Sequence, residues 1–394
     1  MDLFIQFGHG MMGHSKKLIE EWGEGTVIIS PRDLTIQQIE KFSKSLSKLN
    51  GKTLFDPQYY NPRANHKKLT NHTHWFEDFV TIQLTDQTYI SKQLKFIKDL
   101  NNDALTYAYI IPSVACEAVD KHWLRVQDIF IHAASQIFTD KPRYITLALN
   151  KNVLLDETAI ELLIETSKQW DVDGFYLVPE GSYLEKNVIW MENLGLLVAG
   201  LKLTNKVVIV GYSNHQMLSL ACSNADAIAS GNFLNVRAFN AEKFDAPEEG
   251  SVSRRSLWYY CPQALSEYKL SDLELAHRNG FLDELKPYGR SNQYIEKLFK
   301  ASSPSDSGFD EGLAFRHYLT ELKKQCQLST KSSFEDTKNF HLELLENAYN
   351  FSRSFRKKGI RKNDRSFEDI AIDNITSVQK LSKELGAKLS RNWL

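Results

Sequence analysis

The sequence is poor in cysteine, and the thiols it has are not arranged in pairs. Four cysteines stand at positions 116, 222, 261 and 326 of a 394-residue chain, and none belongs to a C-x-x-C pair. Disulfide frameworks and thiolate zinc sites depend on closely spaced cysteines, so the sequence argues against both. We therefore expect neither a bound metal nor another cofactor.

The chain also lacks a secretion signal, a long apolar run and an excess of either charge. No basic region with a following apolar stretch opens the chain, and no apolar run approaches the ~18 residues of a membrane helix. We expect a cytoplasmic protein. Lys and Arg total 48 against 49 Asp and Glu, a net charge of −1. Nucleic-acid binding through bulk positive charge is thereby excluded, although a local basic groove is not.

Hydrophobic residues make up 42% of the chain, which is enough for a sizeable core. Short apolar runs without polar alternation are typical of parallel strands buried on both faces, and helical patterns such as 36–49 and 156–167 lie between them. The runs cover 3–7, 26–30, 53–55, 106–111, 144–149, 174–178, 206–210 and 225–229. This alternation predicts a (β/α)8 TIM-type barrel, with a doubly wound sheet as the alternative.

The chain is longer than a typical barrel, which predicts a second unit. We assign residues 1–300 to a catalytic barrel with an insertion at about 57–105, and 308–394 to a helical module. Pro304 lies in a linker-like segment at 302–307. The module contains a basic run at 353–365. The sequence leaves the oligomeric state of the protein open.

In such barrels the functional residues follow the carboxyl ends of the strands. Three carboxylates stand there as predicted catalytic groups: Asp56, Asp33 and Glu180. Carboxylates suit acid–base work, arginines suit phosphate, and aromatic rings stack on planar bases. The predicted substrate-binding residues are His9, Arg32, Gln58, Tyr59, Tyr60, Arg63, Asn150, Asn232 and Arg237. The combination indicates a nucleotide or nucleic-acid substrate.

Several of these features have a structural alternative. Asp33 is either catalytic or the cap of the helix that follows it. The glycines around His9 either contact phosphate or form a tight turn, with the turn favoured. Asp56 ends a buried strand and precedes a proline, so capping explains it less well.

The insertion and the helical module leave further alternatives open. The insertion contains three histidines, at positions 66, 72 and 74, and we favour a lid or surface role for them over metal binding. For Cys116 we favour a packed thiol over a catalytic nucleophile. The basic run is either a solvated surface or a contact for a nucleic-acid backbone. Its proposed backbone contacts are Arg353, Arg356, Lys357, Lys358, Arg361 and Lys362.

Three segments of residues 1–280 resemble the tRNA-guanine transglycosylase superfamily, whose catalytic domain is a (β/α)8 barrel. Leu54-Phe55-Asp56-Pro57-Gln58 resembles its catalytic strand end. Asp173-Gly174-Phe175-Tyr176 resembles its Asp-Gly-Tyr segment, and Asn235-Val236-Arg237 its Asn-x-Arg. The resemblance implies that Asp56 is the acid–base carboxylate.

The departures from that family change the expected reaction. Its nucleophilic Asp and its guanine-reading Asp have no counterpart here, and its zinc site of three Cys and one His is reduced to Cys261 and His277. Hydrolysis needs fewer groups than base exchange does. The resemblance therefore favours a metal-independent DNA glycosylase that flips out a modified base, in phage defence. The alternatives are a transglycosylase for a 7-deazaguanine-type base in DNA or tRNA and a non-catalytic nucleic-acid-binding barrel; DNA is the favoured partner.

Overall fold

The computed structural model describes residues 1–62, 66–76, 79–244, 256–289 and 292–393. Eight strands form one parallel sheet in the described residues. They are β1 (Asp2–Gln6), β2 (Gly25–Ile29), β3 (Gly51–Phe55), β4 (Tyr109–Ile111), β5 (Arg143–Leu149), β6 (Gly174–Pro179), β7 (Val207–Val210) and β8 (Ala227–Ser230). Their order is β3-β2-β1-β8-β7-β6-β5-β4.

The sheet curls into a nearly closed barrel, because its two end strands, β3 and β4, approach each other. The Tyr107 amide donates a hydrogen bond to the Thr53 carbonyl of β3 at 3.3 Å. Both β2 and β6 are buried along their whole length, as expected for strands covered on both faces. All eight predicted runs coincide with strands to within a few residues. The predicted (β/α)8 barrel is confirmed.

Within the described part of the barrel, seven helices surround the strands. They are α1 (Met11–Trp22), α2 (Ile36–Ser47), α3 (Gln87–Asp103), α4 (Lys121–Ile137), α5 (Lys151–Leu154), α6 (Glu157–Ser167) and α7 (Val188–Lys202). Side chains cap the amino ends of five of them, accepting hydrogen bonds from backbone N–H groups that have no partner within the helix: Thr35, Asp86, Asp120, Asp156 and Asn187.

A hairpin and five further helices follow the barrel. They are β9 (Trp258–Cys261), β10 (Ser266–Lys269), α8 (Leu270–Arg278), α9 (Glu296–Lys300), α10 (Glu311–Ser329), α11 (Phe334–Lys357) and α12 (Ala371–Arg391). The predicted helical character of the carboxyl-terminal part is confirmed.

The carboxyl-terminal helices replace part of the barrel's outer layer. Between β7 and β8 the chain forms a short 3₁₀ segment, His215–Ser223, which α10 and α12 cover. The contact of α12 with α7 explains why α7 is buried on nearly every face. Lys323 of α10 also pairs with Asp2 at the start of β1, at 2.8 Å.

The hydrophobic core is continuous between the barrel and these helices. One cluster joins strand residues to Leu319 and Leu322 of α10 and to Val378 of α12. The boundary predicted near residue 300 is therefore crossed by a shared core. In the described part of the chain, no helix is both long and apolar enough to cross a membrane.

Candidate functional site

Asp56 is the centre of a buried polar cluster at the carboxyl ends of the strands. It follows β3 directly and is only 1% exposed. Its Oδ2 accepts hydrogen bonds from the hydroxyls of Tyr60 at 2.6 Å, Tyr176 at 3.3 Å and Tyr212 at 3.5 Å. Its Oδ1 accepts from the Gln58 amide at 3.0 Å. The described residues place no cation against this carboxyl.

The surroundings of Asp56 hold its pKa near neutrality. Burial raises the pKa from 3.8 to about 6, although the hydrogen bonds from Tyr60 and Gln58 act in the opposite direction. Burial also raises the pKa of each of the three tyrosines well above its usual value, so they stay protonated donors. This carboxyl can therefore both give and take a proton close to neutral pH.

Gln58 links Asp56 to the second predicted carboxylate, Asp33. The Gln58 side-chain oxygen accepts hydrogen bonds from the Ser30 hydroxyl at 3.0 Å and the Arg32 amide at 3.2 Å. The Ser30 hydroxyl also lies 3.0 Å from Asp33 Oδ2, its alternative acceptor. Burial raises the pKa of Asp33 as well, against the Ser30 hydrogen bond and the Arg32 charge. Of the two alternatives for Asp33, a cap of the following helix does not occur, because Thr35 caps α2.

The backbone at two of these positions adopts a costly conformation. Gln58 has φ of 60° and Tyr212 has φ of 51°, both in the left-handed region that side chains other than glycine rarely adopt. Strain of this kind concentrates at functional sites. At Gly211, an added Cβ would lie 2.6 Å from the Tyr176 hydroxyl, so glycine is required for that tyrosine to reach Asp56.

Tyr59 and Tyr60, which were predicted to stack on a substrate base, point in different directions. Tyr59 is buried in the insertion, where it packs against Phe76 and Trp75 and donates its hydroxyl hydrogen bond to the His74 carbonyl. Tyr60 covers Asp56 and packs at 4.8 Å against Phe239 and at 5.0 Å against Phe244. Only Tyr60 belongs to the Asp56 cluster.

The insertion histidines hold the loops after β2 and β3 in place. His72 Nε2 lies 2.8 Å from the Pro31 carbonyl, and His74 Nε2 lies 3.3 Å from the Pro57 carbonyl. Burial lowers the pKa of His74 to about 3, so this ring is neutral. Both rings are buried and pack the insertion against these loops, so neither has the surface position that the sequence favoured, and the lid role stays a prediction.

Glu180 and Asn150 lie on the β5–β6 side of the barrel mouth. Glu180 accepts hydrogen bonds from the Lys151 amide at 3.2 Å and the Ala241 amide at 3.1 Å, which connects two loops. Asn150 Oδ1 is buried without a hydrogen-bond partner among the described residues. Cys116 is close by, and burial raises the pKa of its thiol to about 12, as expected for a packed thiol.

On the β8 side, Arg237 belongs to a second cluster. Its Nη1 donates to Glu267 Oε1 at 2.6 Å, its Nε donates to the Gly231 carbonyl, and its guanidinium lies 3.5 Å from the Tyr318 ring centre. Arg365 donates to the other oxygen of Glu267. We call Arg237, Glu267 and Arg365 the ion triad. Arg237 is thus occupied by a carboxylate.

In the ion triad the pKa of the buried carboxyl shifts in the opposite direction to that of Asp56. Burial alone would raise the pKa of Glu267, but the charges of Arg237 and Arg365 outweigh it and hold the pKa below its usual value. Glu267 therefore stays ionised and connects the β8 loop, the hairpin and the segment before α12. Sequence reasoning missed Glu267, because nothing in its local pattern marks it.

The remaining predicted residues have separate surroundings. Exposed His9 accepts a hydrogen bond on its carbonyl from Asn232 Nδ2 at 2.9 Å, which favours the tight-turn interpretation of the glycine loop. Arg32 lies with its guanidinium 5.1 Å from the Phe244 ring centre, at the rim above Asp56. Arg63 lies outside the described residues.

Three of the six basic residues that were predicted to contact a nucleic-acid backbone form ion pairs within the protein. Arg356 pairs with Glu368 at 3.1 Å, Lys358 with Glu284, and Lys362 with Asp369. The side chains of Arg353, Lys357 and Arg361 are exposed. A nucleic-acid contact at this surface stays a prediction.

Together these features define a (β/α)8-barrel protein with a buried acid at the carboxyl ends of its strands. No family model and no curated protein matches the chain. The solved structures that are similar to the chain include the following two. A crystal structure of endo-1,4-beta-xylanase from Caldicellulosiruptor owensensis has 13% identity and a TM-score of 0.36, covering 59% of this chain and 85% of that one. A mutant structure in complex with xylotriose has 10% identity and a TM-score of 0.37, covering 58% and 84%.

These comparisons correct the function expected from the sequence. The named structures are a xylanase and a xylotriose complex, and neither name concerns nucleic acid. The comparisons therefore give no support to the predicted DNA glycosylase or to its transglycosylase alternative, while a nucleic-acid contact stays a prediction. The resemblance to the tRNA-guanine transglycosylase superfamily stays a prediction.

Proposed function

We propose that this chain is an enzyme that hydrolyses a glycosidic bond in a carbohydrate, with Asp56 as its general acid. The observation that carries the proposal is the buried Asp56 carboxyl, whose pKa of about 6 keeps it half protonated at about pH 6 and about one-tenth protonated at pH 7. Its position after β3 is where barrel enzymes carry catalytic groups. Glycoside hydrolysis needs such an acid to protonate the leaving oxygen.

The donors around Asp56 suit a group that must lose its proton during the reaction. When Asp56 protonates the leaving oxygen, the carboxylate that forms accepts hydrogen bonds from Tyr60, Tyr176 and Tyr212. Tyr176 and Tyr212 are already in position, so these two donors stabilise the new charge without rearrangement. Burial disfavours that charge and the donors favour it, which together keep the pKa close to the working pH.

Asp33 is the proposed second carboxylate. Glycosidases use a pair of carboxyl groups, one as acid and one to activate water or to attack the sugar. Asp33 lies on the same rim, where the Ser30 hydroxyl donates either to Asp33 or to Gln58, and the Gln58 backbone amide donates to Asp56. Because Asp56 is 1% exposed, the Tyr60 ring must swing aside for a sugar to reach it.

The proposal is tested with a panel of disaccharides that differ in sugar and anomer, because their alkoxide leaving group needs the proton that Asp56 is proposed to supply. Release of the free monosaccharides by the wild-type protein is expected for at least one of them. Asp56→Asn removes the acid and should lower kcat by about 10²- to 10⁴-fold. Asp140→Asn, an exposed site between α4 and β5, is the matched control and should leave kcat unchanged.

Two results would overturn the assignment. If the wild-type protein hydrolyses no glycoside of the panel, the proposed activity fails. If hydrolysis occurs but Asp56→Asn keeps the full rate in a correctly folded protein, the activity stands and Asp56 is not its acid. Circular dichroism of the two variants separates loss of chemistry from loss of fold.

A further inference from the structure

The hydroxyl of Tyr176 lies between two acceptors at the carboxyl ends of the strands. Its oxygen is 3.3 Å from Asp56 Oδ2 and 3.2 Å from the side-chain oxygen of Gln6, a fully buried residue of β1. Both distances are longer than the ~2.7–2.8 Å that is usual for O–H···O hydrogen bonds, whereas Tyr60 donates to Asp56 at 2.6 Å. A hydroxyl carries one hydrogen that turns to suit its partner, so Tyr176 donates to one of these two oxygens at a time.

The amide of Gln6 is oriented with its oxygen toward Tyr176. The Tyr212 backbone N–H donates to the same oxygen of Gln6 at 3.4 Å. If the amide were turned over, its NH₂ group would face this N–H, and two donors would meet. Gln6 Nε2 has no hydrogen-bond partner among the described residues, so no contact on that side favours the reverse orientation. Gln6 is therefore an acceptor for Tyr176.

Packing between β6 and β7 holds the Tyr176 oxygen in place. The side chain is fully buried, and a Cβ added at Gly211 would lie 2.6 Å from its hydroxyl. The ring has little room to move, so Tyr176 responds to a change at Asp56 by turning its O–H bond.

The two protonation states of Asp56 require opposite directions of this O–H bond. When Asp56 is ionised, Tyr176 donates to the carboxylate. When Asp56 is protonated, its own O–H donates to the Tyr176 oxygen, and Tyr176 donates onward to Gln6. Without the Gln6 oxygen, the Tyr176 hydrogen would lose its acceptor in the protonated state, which is unfavourable for a buried donor. The Gln6 oxygen thus stabilises protonated Asp56 in particular.

We propose that Gln6 is a positioning residue that helps Asp56 hold its proton, because its side-chain oxygen gives Tyr176 a second acceptor. The inference rests on the proposed function, which transfers that proton to the leaving oxygen of a glycoside, and it deepens that function by assigning control of the proton. As the proton leaves Asp56, the Tyr176 O–H bond turns from Gln6 to the new carboxylate, and it does not break.

The other titratable groups around Asp56 do not distinguish proteins that differ only at Gln6. Burial raises the pKa of Tyr60 and of Tyr212 well above its usual value, so both stay protonated. Asp33 and Arg32 are the charged residues of the loop after β2. Their influence on Asp56 is the same with and without the Gln6 oxygen, so a comparison of variants at position 6 cancels it.

The test follows the pKa of the Asp56 carboxyl directly, by ¹³C NMR of the full chain labelled with ¹³C-aspartate. Asp56→Asn identifies the signal by its absence. Gln6→Met removes the acceptor at nearly constant side-chain length and is made in two backgrounds, wild type and Tyr176→Phe. It should lower the pKa by about half to one pH unit more in the first than in the second, where the donor is absent. General effects of removing a polar group occur in both backgrounds and cancel.

A matched control replaces a buried glutamine elsewhere. The Gln263 amide donates to the carbonyls of Glu284 and Lys286 at 3.0 and 2.8 Å, so Gln263→Met also removes buried hydrogen bonds but should leave the pKa of Asp56 unchanged. Gln6→Asn keeps an amide but withdraws its oxygen from Tyr176 by one methylene. It should give a background difference of the same sign, and it decides the question if Gln6→Met does not fold.

The outcomes separate the role of Gln6 from the proposed function. A larger decrease in the wild-type background supports the inference, and because the titration uses no substrate, it does so even if no disaccharide is hydrolysed. Equal shifts of the pKa in both backgrounds overturn the inference, as does an increase in the wild-type background relative to Tyr176→Phe. Hydrolysis that depends on Asp56 together with equal shifts would keep the proposed function and remove the role of Gln6.

Discussion

Two buried carboxyl groups on this protein have opposite chemistry. Asp56 is surrounded by neutral donors, and burial raises its pKa to about 6. Glu267 lies between two guanidiniums, whose charges hold its pKa below the usual value despite equally deep burial. The comparison shows that the partner, and not burial alone, decides whether a buried acid exchanges protons or stays a fixed charge.

The difference also separates the roles of the two regions. A group that keeps its charge in the interior needs full compensation, and the ion triad supplies it by joining three segments of the chain. A group that is neutral over part of the working pH range needs only hydrogen bonds. We therefore expect Glu267 to matter most for stability and Asp56 most for activity.

The largest expected effect on stability is at the ion triad. Glu267→Gln keeps the shape of the side chain but leaves Arg237 and Arg365 without their carboxylate, which should cost about 3–5 kcal/mol of unfolding free energy. The measurement is urea denaturation at pH 7. Glu284→Gln breaks the more exposed pair with Lys358 and should cost no more than about 1 kcal/mol. Equal losses in both variants would contradict the structural role of the triad.

The next effect concerns the pH dependence of stability at Asp56. Its pKa is raised from 3.8 in the unfolded chain to about 6, so the folded state binds more protons between these values. The contribution of Asp56 to the unfolding free energy therefore falls as pH rises through this window, by about 3 kcal/mol in total. Asp56→Asn lacks this contribution.

Urea denaturation of both proteins at pH 4, 5, 6 and 7 isolates that contribution. The unfolding free energy of the wild type minus that of Asp56→Asn should decrease steadily across the series. A difference that increases with pH would mean that the pKa of Asp56 is lowered in the folded protein, like that of Glu267. That result would contradict the opposite pKa shifts of the two carboxyl groups.

The smallest effect tests the hydrogen bonds around Asp56. Tyr60→Phe removes the closest donor, at 2.6 Å, which holds the pKa of Asp56 down. Its pKa should rise further, moving the alkaline limb of the kcat/KM profile upward by about one pH unit. Tyr59→Phe makes the same change on the neighbouring residue, whose hydroxyl bonds to His74, and should leave the limb in place. Identical profiles for wild type and Tyr60→Phe would contradict the assignment.

Much of the fold could be predicted from the sequence, because the signals are local. A strand buried on both faces must be apolar along its length, so eight such runs were visible without any tertiary information. The position of Asp56 follows from the same signal, since it is the first polar residue after a buried run. The helical carboxyl-terminal part is equally local, as its apolar residues recur with a helical period.

Which partners surround each charge was decided by the tertiary structure alone. Tyr176 and Tyr212 meet Asp56 across 120 and 156 residues of chain, and Arg365 meets Glu267 across 98. Closure of the barrel brings the strand ends together, and packing of the carboxyl-terminal helices brings Arg365 to the hairpin. A local sequence pattern contains no information about such distant neighbours, and the pKa of a buried carboxyl depends on them. The sequence therefore indicated Asp56 as a candidate acid, but only the fold distinguished its pKa from that of Glu267.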